Sequence, residues 1–370
     1  MNYLRQGVLG MPCFWLLLFM FFSKTATSQI GVLPLLENET KYDSLKPGVY
    51  FDLEAVSFLK NNEYNSQLTR GFTGIGYYAK PALHYESADH RYSITAGSFL
   101  RFYSGQDKFS QVLPILRIQA ALSSQIELVM GTIYGNLNHG MEEALFRFDR
   151  FYNDHLENGF QVFWNNTLIE SEFWLNWDVF IEEDDPFQER FHFGSVSKVQ
   201  ILDKQIKLSL VLDHLLTHTG GEIDSSPAFA YTILNGVAGA HISIPSKGNY
   251  QWVIEPLFFS YNNLSSHPDE QRLPNFGEGQ AFYIKAAYEG NGLSGLIAYW
   301  HSENFWAPLG ESLFHNVSDY SDYTIAQRDL LNAKLTWTAL QINGLDIQFR
   351  FDMYYDIDEN SISHAAGFYM

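Results

Sequence analysis

The chain has 370 residues, enough for one large domain or two ordinary ones, and a formal net charge of −19. This acidity argues against nucleic acid as a partner, because nucleic-acid-binding proteins need basic patches. Aromatic residues make up 16% of the chain although the mean hydropathy is slightly polar, at −0.16. That combination favours many half-buried strands over a dense helical core.

The first 28 residues have the pattern of a cleaved secretory signal peptide. Arg5 provides a positive start, residues 8–22 (VLGMPCFWLLLFMFF) form an apolar core, and residues 26–28 (ATS) form a small-residue cleavage site. The apolar run is shorter than the ~20 residues of a spanning helix. Cys13, the only cysteine, lies within it, so we expect no disulfide and no thiolate metal site in the mature chain. Residues 29–48 are expected to form an irregular periplasmic segment.

Residues 49–370 are predicted to fold as an all-β transmembrane antiparallel barrel. Residues 345–355 (LDIQFRFDMYY) alternate strictly, so a strand there would have one apolar and one polar face. Similar segments recur about sixteen times, mostly at lengths that suit the ~9–11 residues of a tilted membrane-crossing strand. Pro81 interrupts the second segment and argues against a central strand there unless a bulge accommodates it. The predicted strands are 49–60, 73–86, 91–103, 112–122, 125–134, 159–168, 171–182, 188–202, 205–217, 227–244, 249–261, 278–289, 293–302, 326–339, 345–355 and 361–370.

The connections between these strands alternate between short and long. Tight turns follow the even-numbered strands, and Asn343-Gly344 is a strong hairpin signal. Longer loops follow the odd-numbered strands. Short periplasmic turns and longer extracellular loops are expected of an outer-membrane barrel, whereas a soluble sandwich has no reason to separate loops by length.

The closing segment carries a resemblance to a known class. Residues 362–370 (ISHAAGFYM) resemble the assembly signal of bacterial outer-membrane β-barrels, although the chain ends in Met370 rather than in an aromatic residue. The mature chain resembles a barrel of porin-like size, in the aromatic-rich, acidic style of Bacteroidota. The resemblance implies a Gram-negative outer-membrane location and contact with outer-membrane lipid and with the barrel-assembly machinery.

The polar faces of the strands would line a lumen too wide for side chains alone to fill. The third long loop, 135–158, contains the segment MEEALFRFDRFYNDH, which we expect to form a short helix. By resemblance to general porins, this loop would fold inward and narrow the channel, and its acids would then favour cations. The candidate lumen-lining and constriction residues are Glu142, Glu143, Asp149, Arg101, Arg117, Glu127, Glu172, Asp178, Arg350 and Asp352.

Other side chains suggest chemistry, and each has a simpler interpretation. His214 and His218 would lie ~13 Å apart on a strand, too far to bind one metal ion. His301-Ser302 and Ser363-His364 are adjacent in sequence, but neighbouring residues on a strand point to opposite faces. The acidic pair Asp184-Asp185 fits a solvated loop better than a calcium site. Trp164, Trp174, Trp300 and Trp306 could stack on sugars, but interface girdles explain them as well.

The sequence therefore predicts a passive channel for small polar solutes or ions. It predicts no enzyme, no catalytic residue, no metal and no cofactor. One alternative is a plugged structural or assembly barrel that binds a partner protein or surface polysaccharide. A second alternative is a barrel-borne lipid hydrolase. Other envelope proteins and a second copy of the chain are further candidate partners.

Overall fold

The structure, a computed structural model, describes residues 46–265, 274–342 and 344–370. The predicted signal peptide and most of the predicted periplasmic segment lie outside the described residues. Asn343 of the last predicted hairpin turn lies outside them as well.

Within the described ranges the chain folds as sixteen antiparallel strands that close into one barrel. Each strand pairs with its sequence neighbours, and β1 pairs with β16 to close the sheet. The predicted fold class and strand number are therefore confirmed. The strands are β1 (Gly48–Glu63), β2 (Thr73–Glu86), β3 (Tyr92–Tyr103), β4 (Gln111–Ala121), β5 (Ile126–Thr132), β6 (Asn158–Asn165), β7 (Ile169–Val179), β8 (Arg190–Asp203), β9 (Lys207–Thr219), β10 (Tyr231–Pro245), β11 (Tyr250–Asn263), β12 (Glu278–Gly290), β13 (Leu293–Glu303), β14 (Gln327–Ile342), β15 (Leu345–Asp356) and β16 (Ser361–Tyr369).

The alternation in each strand separates an apolar outer surface from a polar lumen. In β15, Phe349 and Phe351 are about two-fifths exposed on the outside, whereas Arg350 and Asp352 are buried on the inside. Closure lets each strand pair on both sides without water, which is what a sheet in lipid requires. The protein is thus an outer-membrane-type barrel, with its apolar residues in the lipid-facing belt.

The two rims of the barrel differ as predicted. Tight turns follow the even-numbered strands and form the inner rim. In the turn between β12 and β13, Asn291 and Gly292 both have positive φ, as a two-residue primed hairpin turn requires. Longer connections follow most of the odd-numbered strands, and they form the outer rim.

Pro81 does lie inside a strand of the closed sheet. It pairs with Leu53 of β1, while the pairing with β3 lapses between Ala79 and Ala82 and then resumes in the same register. No bulge is needed, because the proline only interrupts pairing on one side.

Helical structure is sparse. A helix α1 covers Arg150–Asn153, and single 3₁₀ turns cover Asn136–His139 and Ser312–Phe314. The structure therefore contains only one turn of the helix predicted across residues 141–155. The apolar residues of this segment pack against the barrel wall rather than forming one face of a longer helix. In the described part of the chain, no helix has the length and apolar character to span a membrane.

Candidate functional site

Two long connections fold into the lumen and together form what we call the plug. The plug consists of residues 133–157, between β5 and β6, and residues 304–326, between β13 and β14. The Tyr152 hydroxyl bonds to that of Tyr369 on β16, and Glu157 lies 3.5 Å from His192 on β8. Because β8 and β16 are opposite one another in the barrel order, residues 133–157 cross the whole lumen.

The two parts of the plug also hold each other. Glu311 N donates to Glu143 O at 2.9 Å, and Arg147 N donates to Leu309 O at 2.8 Å. A Cβ on Gly310 would lie 2.1 Å from Ala144 O, so only glycine permits this close approach. Aromatic side chains from the plug and the wall, including Phe305, then fill the space between.

The three acids proposed from sequence to line a constriction are all buried in the plug. Glu142 accepts from Lys285 Nζ at 2.6 Å, and Lys285 also contacts Glu255 at 2.5 Å. Glu143 pairs with Lys334, and Asp149 pairs with Lys60. The acids are therefore neutralised by lysines of β1, β12 and β14.

The remaining residues proposed for the wall divide into two groups. Arg350 and Asp352 complete the Glu143 network, since Arg350 donates to Glu143 at 2.9 Å and to Asp352 at 2.8 Å. Arg101 and Arg117 form the second group. They donate to main-chain carbonyls, Arg101 to Tyr152 O and Arg117 to Thr132 O at 2.7 Å.

Glu172 and Asp178, both on β7, belong to a buried chain of imidazoles and carboxylates that we call the relay. His139 donates from Nδ1 to Glu172 at 2.5 Å and from Nε2 to Glu157 at 2.9 Å. His192 donates from Nδ1 to Asp178 at 2.8 Å. Arg150, in turn, contacts Asp178 at 3.5 Å and Asp154 at 2.7 Å. Sequence reasoning missed His139, Glu157 and His192, because they become neighbours only when the plug docks.

The shape of the wall supports the relay. The His139 ring stacks on Trp174 with centroids 3.7 Å apart. Trp174 can lie flat there because Gly194 is beside it, where a Cβ would come within 2.1 Å of the indole. Trp174 and Trp300 both face inward and are fully buried, whereas Trp164 is partly exposed and Trp306 is half-buried. Glu127 lies apart from the relay, in a cavity of about 240 Å³ near the inner rim, and accepts from Gln119 at 2.5 Å.

Burial and neighbouring charges shift the pKa values of plug groups. Burial lowers the pKa of His139, but Glu172 and Glu157 outweigh it and raise the pKa to about 9. Burial raises the pKa of Glu143, but Lys334 and Arg350 outweigh it and lower the pKa to about 2. Burial, then Asp149 and Glu143, raise the pKa of Glu311 to about 8. At neutral pH, His139 is therefore charged and Glu311 is neutral.

A second histidine site lies outside the barrel, at the outer rim. His301 on β13 and Asp329 on β14 are cross-strand partners, and His301 Nδ1 donates to Asp329 Oδ1 at 2.8 Å. The Tyr299 hydroxyl donates to the same oxygen at 2.6 Å. His301 Nε2 lies 3.9 Å from Glu303, beyond hydrogen-bond distance, and the ring is partly exposed. We call Tyr299, His301 and Asp329 the rim site.

The rim site lies where the outer surface changes from apolar to polar. Ile297 and Leu331, on the inner-rim side of the site, are exposed apolar residues. Glu303 and Gln327, on the other side, are the terminal residues of their strands and bond to each other at 3.0 Å. This boundary is the level at which lipid headgroups meet acyl chains.

The adjacent Ser-His pairs behave as the alternation predicts. Ser302 points inward and is fully buried, while His301 points outward. Ser363 is buried and accepts from Asn65 N at 3.0 Å, whereas His364 is exposed. Neither pair can act as nucleophile and base.

The other histidine and aspartate pairs considered from the sequence do not form metal sites, and their members bond to neighbouring groups. His214 and His218 bond to separate groups, since Ser195 Oγ lies 3.5 Å from His214 and Thr232 Oγ1 lies 2.8 Å from His218. Backbone groups of Asp184 and Asp185 bond to Ile223 and Ser225 in the neighbouring loop. Among the described residues, no group of three or more His, Cys, Asp or Glu side chains is arranged to hold a metal ion.

The rim site has the arrangement of a general base. Asp329 holds one nitrogen of His301, which leaves the other nitrogen to accept a proton from a water molecule in a headgroup layer. The relay lacks this property, because both nitrogens of His139 are occupied and its side chain is sealed from solvent.

The chain matches the model of a known protein family. The model of a family described as lipid A 3'-O-deacylase-type matches residues 40–370. No curated protein matches the chain.

Similar solved structures include OprD from Pseudomonas aeruginosa, with 10% identity, a TM-score of 0.47, and coverage of 92% of this chain and 96% of that one. OccK11 (OpdR) from the same species has 11% identity, a TM-score of 0.49, and coverage of 88% and 96%. A BenF-like porin from Pseudomonas fluorescens has 8% identity, a TM-score of 0.46, and coverage of 88% and 98%.

The family match corrects one prediction. A barrel without enzymatic activity was expected, but the matched family is described by a deacylase activity. The sequence reasoning looked for a serine beside a histidine along the chain and did not consider pairs across neighbouring strands, such as His301 and Asp329.

Proposed function

Since the chain belongs to the lipid A 3'-O-deacylase-type family, we propose that it hydrolyses an acyl ester of a lipid A-class lipid in the outer leaflet. The observation that carries the proposal is the pair His301–Asp329 on the lipid-facing surface at the outer rim. An ester that stays in its leaflet meets groups on the outside of a barrel. A base inside the lumen would require the lipid to leave the membrane.

The chemistry needs one water molecule. His301 Nε2 accepts a proton from water while the water oxygen bonds to the ester carbonyl carbon. The tetrahedral intermediate then breaks its bond to the sugar oxygen, which takes the proton back from His301. The products are a fatty acid and a lipid with one free hydroxyl. Asp329 stabilises the imidazolium that forms between the two steps, as the acid of a catalytic triad does.

The apolar surface beside the rim site suits the acyl chain. Phe282, the cross-strand neighbour of His301, and Ile297, four residues before it in β13, are exposed on the same face. An acyl chain can lie along this face while its ester is level with His301. The plug supports the same proposal, because a hydrolase of this type needs no open lumen.

The test is hydrolysis by purified, refolded barrel in mixed micelles with lipid A, followed by mass spectrometry of the lipid. The wild type should release one acyl chain. His301→Gln and Asp329→Asn should each lower the rate by about 10²-fold to 10⁴-fold, the usual share of a general base. Ser302→Ala, one residue away and facing inward, is the matched control and should keep the wild-type rate.

The outcomes separate function from site. If the wild type releases no acyl chain and carries an ion current in planar bilayers, the channel predicted from sequence replaces the hydrolase. If hydrolysis persists in His301→Gln but is lost in Ser195→Ala or His214→Gln, the activity stands and the rim site is wrong.

A further inference from the structure

The relay is a cluster of buried ionisable groups that the proposed hydrolysis does not use. It consists of Glu172, His139, Glu157, His192 and Asp178, each in contact with the next at 2.5 to 3.5 Å. His139 and Glu157 belong to the plug, whereas the other three belong to β7 and β8. The relay thus connects residues 133–157 of the plug to the barrel wall.

The plug can leave this connection without breaking the barrel. Its backbone hydrogen bonds run mainly within the loops, as in Leu145 N to Glu142 O at 2.8 Å and Asp154 N to Arg150 O at 2.8 Å. The wall holds it mostly through side chains, which include Lys60, Lys285 and Arg350. The sixteen strand pairings do not involve the plug.

The lumen behind the plug is polar. Asp213 and Lys198 face inward from β9 and β8, and Lys285 and Glu255 face inward from β12 and β11. A barrel of sixteen strands is too wide for its own wall side chains to fill. Water and small ions would therefore occupy the space that the plug vacates.

From this geometry we infer that residues 133–157 are a releasable gate, latched to β7 and β8 by the relay, and that release gives the barrel a second, ion-conducting state. The inference does not rest on hydrolysis. It assigns to the same chain a further function, gated conduction of small ions.

The strength with which the relay holds residues 133–157 depends on pH. His139 faces Glu172 on β7 and Glu157 in its own loop, and Glu157 also faces His192 and Arg150. The pKa of His139 is about 9 in the closed state against an ordinary 6.5. The latch therefore holds fully below pH 6.5 and weakens as pH rises toward 9, by roughly 10²-fold in the open–closed equilibrium.

Two other plug groups shape the same profile. Glu311 faces Asp149, Glu143, Lys60 and Arg147, and its pKa of about 8 means that it must ionise as pH rises, which also weakens the closed state. His315 faces Arg147 and Arg328, and burial first, then these cations, lower its pKa to about 3. Its contribution is lost as pH falls below 6.5. The closed state weakens with rising pH from 4.5 through Glu311 and from 6.5 through His139, and it weakens with falling pH below 6.5 through His315. The gate should therefore be closed most firmly between about pH 4.5 and 6.5, where the effects of Glu311 and His315 oppose each other.

The experiment is single-channel recording of the full, refolded barrel in planar bilayers between pH 6.5 and 9.5. The wild type should open rarely at pH 6.5 and at least about 10²-fold more often at pH 9.5, because both His139 and Glu311 favour opening over this range. His139→Gln removes the charge that holds two carboxylates together, so it should open often at pH 6.5 and lose most of the alkaline increase. His90→Gln is the matched control, because His90 is half exposed at the inner rim and pairs with Glu86 at 3.0 Å. It should keep the wild-type profile.

A second measurement guards against a misfolded variant. Protease added from the outer side should cut within residues 133–157 at pH 9.5 and in His139→Gln, but not in the wild type at pH 6.5. Heat-modifiable migration on gels establishes that each barrel is folded. A folded wild type with neither current nor cleavage at pH 9.5 would overturn the inference. So would a His139→Gln variant with an unchanged pH profile.

Discussion

The relay and the rim site use the same residue types for opposite purposes. In the relay, carboxylates occupy both nitrogens of His139, and the ring is sealed between Trp174 and the plug. At the rim site, Asp329 occupies one nitrogen of His301, and the other lies 3.9 Å from Glu303 on a partly exposed ring. An imidazole bridged twice is a charged structural link, whereas an imidazole held once can exchange protons with a substrate.

The relay and the rim site also differ in burial, and burial determines how much an ion pair contributes to stability. A buried ion pair that loses one partner leaves a charge without compensation, which costs about 3–5 kcal/mol. Exposed pairs are worth about 0–1 kcal/mol. Substitutions in the plug network should therefore change stability, and substitutions at the rim should change activity.

The largest expected effect of this kind is at Arg350. Arg350→Leu removes the bonds to Glu143 and Asp352 and the stacking of the guanidinium on Phe148, 4.0 Å away. The free energy of unfolding should fall by about 3–5 kcal/mol, measured as the urea midpoint of heat-modifiable migration. Lys207→Leu breaks an exposed pair with Asp203, and it should cost less than about 1 kcal/mol. Equal losses in the two variants would remove the energetic distinction between plug and surface.

A smaller effect is expected at Gly194. A Cβ there would overlap the Trp174 indole, so Gly194→Ala should tilt the ring away from His139. Overpacking of this kind costs about 1–3 kcal/mol. The tryptophan emission spectrum should shift while lipid hydrolysis is retained. Gly295→Ala, where a Cβ meets nothing within 4 Å, should change neither. A loss of hydrolysis in Gly194→Ala would show that the two regions are coupled.

The smallest effect is expected at Tyr299. Tyr299→Phe removes one hydrogen bond to Asp329, and such a bond is worth about 0.5–1.5 kcal/mol, or roughly 2-fold to 10-fold in rate. kcat should fall by this factor while KM and the unfolding midpoint stay constant. Tyr355→Phe, which loses a bond of similar length to Asn360, should keep the wild-type kcat. A stability loss without a change in kcat would make Tyr299 a structural residue only.

Much of the fold was predictable from local pattern. Alternation with period two, repeated in segments long enough to cross a bilayer, requires a sheet with one lipid face and one polar face. The order of short and long connections then indicates which end of the barrel is the inner rim and which is the outer rim. Arg350 and Asp352 could be assigned to the polar face because each strand carries that information within itself, and both are buried on the inside of β15.

The partners of those residues were not predictable. Glu142, Glu143 and Asp149 were recognised as acids of an inward loop, but Lys285, Lys334 and Lys60 meet them from strands more than 85 residues away. His301 was examined with Ser302 beside it, although its partner Asp329 lies across the β13–β14 ladder. A contact between strands depends on register, and register depends on the closure of the whole barrel.

By itself, the sequence determined a closed barrel with a lipid face, because the period of a strand and the thickness of a bilayer leave few other solutions. Only the tertiary structure decided which histidine is a link and which can act as a base. That distinction depends on how many carboxylates reach each ring and on whether water can reach it too. Both are properties of packing between distant segments, and no local pattern encodes them.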